Sequence, residues 1–248
     1  IVSFMLVSCA RAPVRPDYCP APGVPVEIPS LQTYPSQAHL RQDIIHTVAP
    51  GETLWRISKM YDVKSEDIMR ANNMRDSAII TGQNIAIPQA APMKIVEIPL
   101  YDSNKWKYII IHHSATGEGS ALSFSKSHTK RGFKGIGYHF TIDNGTCGKG
   151  DGQIEISPRW LKQQNGAHCK AGQMNYSGIG ICLVGNFSKD RVSGTQMSSL
   201  IYLVNVLRKQ YNIPIRNIIG HGQVYKAKTE CPGKNFPWKE FYDKLRLF

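Results

Sequence analysis

Acidic residues are scarce in this 248-residue chain. Eighteen Asp and Glu face thirty Lys and Arg, leaving a formal charge of +12, which suits an acidic polymer or an anionic membrane surface as partner. The sequence lacks a zinc finger, a basic heptad region and an aromatic-rich RNA motif, and its basic residues are spread along the chain, so no nucleic-acid partner is expected. Long hydrophobic runs are also missing. The apolar stretch I-V-S-F-M-L-V-S at residues 1–8 is too short to cross a bilayer as a helix. Between Ala10 and about Asp43 no apolar period is sustained, while Pro13, Pro16, Pro20, Pro22, Pro25, Pro29 and Pro35 recur. That composition describes a tether, residues 10–45, and not a domain. What remains is enough for one domain of ordinary size and one small one.

The larger domain is organised around Tyr108 to Thr116, Y-I-I-I-H-H-S-A-T. Its bulky, mostly β-branched run reads as a short strand buried on both faces. Strand periodicity puts Tyr108, Ile110 and His112 on one face and Ile109, Ile111 and His113 on the other, so only one histidine can enter a given site. Far downstream, I-I-G-H-G-Q-V-Y-K-A-K-T-E-C-P-G carries a second strand, Ile215 to Ile219, to His221 and then to Cys231 before a Pro-Gly turn. One imidazole of the pair, a second from His221 and the Cys231 thiolate make a three-ligand zinc set whose fourth tetrahedral position is left for water. The competing reading is two histidines bonded to backbone and a purely structural Cys-Pro-Gly turn.

Between these segments, R-G-F-K-G-I-G-Y-H-F-T-I-D-N-G gives a glycine-rich turn, a strand with Tyr138 and His139 on opposite faces, and a hairpin signal at Asp143-Asn144-Gly145. Ile179, Ile181 and Leu183 alternate with Gly180, Cys182 and Val184 as an interior strand. Thr195 to Tyr211 has Leu200, Ile201, Val204 and Leu207 at helical spacing. In the small domain, H-T-V-A-P-G-E-T-L-W-R-I-S-K-M-Y-D-V opens with a strand and a Pro-Gly turn. A helix follows, capped by Thr53, with Leu54, Ile57 and Tyr61 on one face. A second helix starts at a Ser65 cap, buries Ile68 and Met69, and ends at Ala71-Asn72-Asn73. G-Q-N-I-A-I-P closes the unit as a strand, and Trp55, Ile57 and Ile68 are read as packing residues of its small core.

Four ordered motifs, H-H-S-A-T, G-F-K-G-I-G-Y-H-F-T-I at 132–142, N-Y-S-G-I-G-I-C-L-V-G-N-F at 175–187 and the segment from His221 to C-P-G, carry a resemblance. The chain from Tyr108 to about Trp238 resembles the zinc-dependent N-acetylmuramoyl-L-alanine amidases that share a fold with the peptidoglycan recognition proteins and the phage amidase-lysozymes. The resemblance implies an α/β domain over 106–248 with a mixed central β-sheet flanked by helices. It also implies Zn2+ held by His112, His221 and Cys231, and hydrolysis of the amide joining N-acetylmuramic acid to L-alanine. Tyr138 would position water or bond the oxyanion; the alternative is a half-buried tyrosine with a satisfied hydroxyl. His128 is read as structural. G-A-H-C-K-A-G at 166–172 matches the loop beside the substrate cleft, making His168 either a muramyl-peptide contact or a locally bonded loop histidine. Phage-type members carry a lysine two residues before the ligand cysteine; here that residue is Thr229, so oxyanion assistance would fall to Tyr138 and Thr229, with Lys228 pointing elsewhere. A non-catalytic peptidoglycan receptor is the rival function.

P-G-E-T-L-W, A-N-N and G-Q-N-I-A-I-P resemble a βααβ LysM glycan-binding module spanning 46–88, joined by a linker at 89–105. That places Gly51, Glu52, Thr53 and the Ile79-Ile80 region at N-acetylglucosamine. L-V-S-C at 6–9 resembles a lipobox ending residues 1–9, implying lipidation of Cys9 and, with Ala10 following, a periplasm-facing lipoprotein of the outer membrane. The expected partner is peptidoglycan, bound through both domains by a monomer anchored to the membrane at Cys9. Of six cysteines, Cys9 would go to lipid and Cys231 to metal. Cys19, Cys147, Cys169 and Cys182 would face an oxidising compartment, where a Cys147–Cys169 bridge is conceivable and Cys182 is more simply a buried small hydrophobe.

Overall fold

Two antiparallel strands, β1 (Gln42–Thr47) and β2 (Asn84–Ala90), enclose two helices, α1 (Leu54–Tyr61) and α2 (Ser65–Ala71). The structure, a computed structural model, describes residues 41–91 and 97–247; Cys9, Cys19, the tether up to residue 40 and part of the linker lie outside the described residues. Thr53 caps α1 by accepting the Arg56 amide at 3.3 Å, satisfying one of the donors a helix start leaves over. Leu54, Ile57, Met60 and Tyr61 turn inward to meet Ile68, Ile85 and Ile87. Asn72 ends α2 and ties it to β2, donating to the Ile68 and Ala86 carbonyls and accepting from the Ala86 amide, all at 2.7 Å. Two expectations fail. Lys64, with no side-chain bond, occupies the cap position and Ser65 is already helical. Trp55 is 59 % exposed, because it sits a third of a turn off the inward stripe of α1.

The second sheet has the order β5–β4–β6–β3–β7. Its strands and helices run β3 (Tyr108–His113), α3 (Ala121–Lys130), β4 (Phe140–Asn144), β5 (Asp151–Ile156), α4 (Pro158–Leu161), α5 (Met174–Ser177), β6 (Gly178–Leu183), α6 (Gly194–Gln210), β7 (Ile218–Gly220) and α7 (Trp238–Arg246). β3 is parallel to both β6 and β7, β4 is parallel to β6, and only β5 runs antiparallel. The result is a mixed α/β sheet flanked by helices. Ser193 opens α6 with a capping box to Gln196. The helix then lays Leu200, Leu203, Val204 and Leu207 on the face formed by Ile109, Ile111, Phe140, Ile142, Ile179, Ile181 and Leu183; each such side chain contributes about 1.5–3 kcal/mol when fully buried.

The register also fixes the opposite face. His112 pairs with Cys182, Cys182 with Thr141, and Thr141 with Glu155, so these four side chains form one lateral row. Two local readings change. The strand expected over Ile215 to Ile219 is a 3-10 turn at Ile215–Asn217 followed by the three-residue β7, with Asn217 Nδ2 donating to the Lys107 carbonyl at 2.9 Å. The hairpin is real, but Asn144 pairs with Asp151 and the connection is long, with Gly145, Cys147 and Gly148 at positive φ.

Residues 39–248 form one compact unit, and the small domain meets the large one through buried charge. Lys149 Nζ donates to the Thr47 carbonyl at 2.6 Å and lies 3.8 Å from Glu52 and 3.3 Å from Glu155. Glu52 Oε2 also accepts the Ala49 amide at 2.6 Å and meets His46 Nε2 at 2.8 Å, while His46 Nδ1 bonds the Tyr61 hydroxyl at 3.0 Å. A Cβ on Gly51 would stand 3.0 Å from Leu161 Cδ1. Gly51 and Glu52 are thus half-buried and packed toward the large domain, whereas Thr53 and Ile80 are exposed. Cys147, Cys169, Cys182 and Cys231 are all free thiols, so no Cys147–Cys169 bridge forms, and Cys182 is fully buried as expected.

Candidate active site

Parallel pairing of β3 with β7 brings Ile111 opposite Gly220, so the next residues, His112 and His221, emerge together at the carboxyl edge of the sheet, 4.7 Å apart by ring centroid. Cys231 is held beside them by two contacts of its own backbone. The Gly222 amide donates to the Cys231 carbonyl at 2.7 Å, and the Cys231 amide donates to Thr229 Oγ1 at 3.2 Å. Gly222 has no room for a side chain, since a Cβ would lie 2.4 Å from the Thr229 carbonyl oxygen. Cys231 Sγ is 3.7 Å from His112 Nδ1, and the ligand atoms of His112, His221 and Cys231 all lie within 4.8 Å of one another. Around a tetrahedral zinc ion a nitrogen and a sulfur ligand stand about 3.5 Å apart, so two imidazoles and a thiol at this spacing fit that metal. Among the described residues, no fourth His, Cys, Asp or Glu joins the set.

The electrostatics suit ligation. Burial, followed by the neighbouring His168 and His221, holds His112 well below the ordinary imidazole range, and burial lowers His221; both rings are neutral near pH 7 and offer lone pairs. Burial pushes the Cys231 thiol up to about 11, against the opposing pull of its bond with His113. The His113 amide donates to Sγ at 3.4 Å, a contact that favours thiolate. The His113 ring itself points away: its Nδ1 accepts the Phe187 amide at 3.1 Å, as strand alternation requires.

Tyr138 lies beside this group, its ring 5.2 Å from His112 and 5.6 Å from His128. The Cys182 sulfur, burial and then Cys231 push its phenol far up, so Tyr138 remains a proton donor. His128 Nδ1 accepts the Gly137 amide at 3.0 Å, in keeping with a structural role. Thr229 is exposed, its Oγ1 accepting the Cys231 amide at 3.2 Å and its O–H left to donate, and Lys228 is exposed.

His168 is the residue whose surroundings the sequence least revealed. Its Nδ1 lies 3.0 Å from His112 Nε2 and its Nε2 lies 3.2 Å from the Gly178 carbonyl, and burial pushes it down to about 3. Both ring nitrogens thus have partners within the protein. Asn175 was also missed as a site residue: its Oδ1 accepts the His168 and Cys169 amides, each at 2.8 Å. Its place at the start of the N-Y-S-G motif was the available signal.

Comparison with known proteins agrees with this architecture. Residues 102–234 match the family described as N-acetylmuramoyl-L-alanine amidase, and residues 46–88 match the LysM domain. The peptidoglycan-recognition protein SC1a of Drosophila melanogaster is 31% identical over 147 residues, covering 55% of this chain and 72% of that protein. The probable endopeptidase p60 of Listeria seeligeri is 46% identical over 46 residues, 18% of this chain; the chain spans only 9% of that relative's length. Among solved structures, the N-acetylmuramoyl-L-alanine amidase LysC from Clostridium intestinale is 34% identical, with 62% of this chain and 97% of that one covered at a TM-score of 0.49. With over half of its length matched by the first of these families, the chain belongs to the N-acetylmuramoyl-L-alanine amidase family and carries a LysM domain ahead of the amidase domain.

Proposed function

We propose that the protein is a peptidoglycan hydrolase that cleaves the amide between N-acetylmuramic acid and the L-alanine of the stem peptide. The observation that supports this best is the convergence of His112, His221 and Cys231, from three distant parts of the chain, at the spacing a single zinc ion needs. Zinc bound by these three residues would supply a water acidified toward a pKa of about 7 and a Lewis acid for the carbonyl. The chain's own groups do the rest. Tyr138, kept as a phenol with its ring 5.2 Å from that of His112, would donate a hydrogen bond to the oxygen that gains charge as the amide carbon becomes tetrahedral. Thr229 Oγ1 accepts the Cys231 amide and so shapes the Cys231 turn, and its remaining O–H would be the second donor to that oxygen.

The LysM domain and lipidation of Cys9 would each raise the local concentration of cleavable bonds without altering the chemical step. The excess of basic residues suits the carboxylates of stem peptides. Incubation of purified protein with isolated sacculi tests the reading. Release of free stem peptides, abolished by chelation and restored by zinc, is the expected result; binding without release would make the protein a receptor and end the hydrolase assignment.

A further inference from the structure

We infer that His168 is a positioning residue that sets the tautomer of His112, through a hydrogen-bonded chain anchored on the Gly178 carbonyl. A carbonyl oxygen only accepts. At 3.2 Å from Gly178 O, His168 Nε2 therefore carries the ring's single proton, and Nδ1 is left as an acceptor. At 3.0 Å from that acceptor, His112 Nε2 must be the protonated nitrogen of its own ring. His112 Nδ1 is then the bare one, and it is the atom 3.7 Å from Cys231 Sγ. One backbone oxygen thus dictates, two rings away, which nitrogen of His112 offers its lone pair to the sulfur side. The opposite arrangement would set two lone pairs or two protons against each other inside the protein.

The ring of His168 has nowhere else to go. A Cβ on Gly180 would fall 2.4 Å from its Cδ2 and one on Gly166 would fall 2.3 Å from the same atom, so two glycines form the slot it occupies. Its own amide and that of Cys169 are pinned to Asn175 Oδ1 at 2.8 Å. The slot lies directly over β6, the strand that pairs with β3 beneath His112. The tautomer assignment stands on these contacts alone; its consequence for metal affinity rests on the zinc reading given under Proposed function.

Long-range proton–nitrogen NMR of the metal-free full chain identifies the protonated nitrogen of each imidazole. His112 and His168 are both expected as Nε2–H. In His168→Ala, His112 should lose its single tautomer and zinc affinity, measured by competition with a chromophoric chelator, should fall about 10- to 100-fold. His168→Asn, whose Oδ1 can replace Nδ1 as acceptor, should recover part of that loss. Gly180→Ala, which evicts the ring while keeping the histidine, should reproduce the tautomer change even where His168→Ala folds poorly by circular dichroism. A wild-type His112 protonated on Nδ1, or a His168→Ala variant that folds and binds zinc within twofold of wild type, overturns the assignment. A wild type with the expected tautomers that takes up no zinc upholds it and sinks the hydrolase reading instead.

Discussion

Replacing Lys149 with methionine removes one charge and little volume from the junction between the LysM and amidase domains. The lysine side chain is 1% exposed and is flanked by Glu52 at 3.8 Å and Glu155 at 3.3 Å, themselves 7% and 1% exposed. Removing one member of a buried pair costs about 3–5 kcal/mol, because the remaining charge is left without a counterion. Here the lower end applies. Glu52 keeps its bonds to His46 and the Ala49 amide, Glu155 keeps the Ala121 amide, and either carboxylate can take up a proton when the ammonium is gone. Burial raises Glu155 already, with Lys149 opposing; at Glu52 the bonds to His46 and Lys149 outweigh burial and hold the carboxyl low. Lys149→Met should therefore destabilise the chain by about 3 kcal/mol. The Thr47 carbonyl also loses its donor, so the small LysM core should separate energetically from the amidase core. Urea unfolding followed by tryptophan fluorescence should show one transition in the wild type and two in the variant, the first at lower denaturant. A single transition within about 0.5 kcal/mol of wild type would refute the view that this ion network joins the domains.

Three other outcomes are expected. Cys231→Ser should keep the circular dichroism of the wild type and lose most zinc affinity and stem-peptide release, since a hydroxyl replaces the only thiolate; unchanged zinc content by metal analysis would exclude Cys231 as a ligand. Zinc affinity should depend on pH with a definite sign. Cys231 must shed a proton held up to a pKa of about 11, whereas the two imidazoles are already neutral, so the binding constant should rise about tenfold per pH unit between pH 7 and 9; a flat profile measured by chelator competition contradicts this. Asp143→Asn should stabilise the protein at neutral pH. Burial, and then the charge and hydrogen bond of Glu155, raise the Asp143 carboxyl well above its ordinary value. The folded state therefore keeps a proton that the unfolded chain releases near pH ~4, and stability falls as pH rises from there toward the folded value. A gain from Asp143→Asn that is equal at pH 5 and pH 8 in urea titrations would disprove it.

How much of this was legible depended on how local the cause was. The burial of Ile109, Ile110 and Ile111 and the divergence of His112 from His113 follow from a two-residue period that any strand imposes. The helix expected over Thr195 to Tyr211 and found at Gly194–Gln210, and the inward stripe of α1, are likewise written in neighbouring residues. Trp55 was misjudged because an aromatic in a small domain was assumed to be needed for packing, although its angular position on α1 leaves it outside. Lys149 sits in a glycine-bearing turn, where a lysine ordinarily keeps its ammonium in water; here the ammonium is buried between Glu155 of its own domain and Glu52 and the Thr47 carbonyl of the small one. His168 was uninterpretable locally, because the slot that holds it is made by Gly180 and Gly166, and an absent Cβ becomes informative only once a neighbouring ring is known to fill its place.

The lateral row across the sheet shows the same dependence at larger scale. His112, Cys182, Thr141 and Glu155 come from four strands and share no spacing in the sequence, yet the register aligns them on one face. At one end the row supplies an imidazole to the candidate metal site, and at the other it supplies the carboxylate that pairs with Lys149. Between them Cys182 is neutral, its thiol raised by burial, and Thr141 Oγ1 is buried without a partner. A slip of one residue in the β4–β6 pairing would carry Phe140 or Ile142 onto this face and Thr141 into the apolar layer. The apolar alternation of β4, Phe140 and Ile142 against α6, forbids that slip. The hydrophobic pattern on one side of the sheet thus holds the polar row in place on the other, so a core substitution such as Phe140→Ala acts on site geometry as well as on stability.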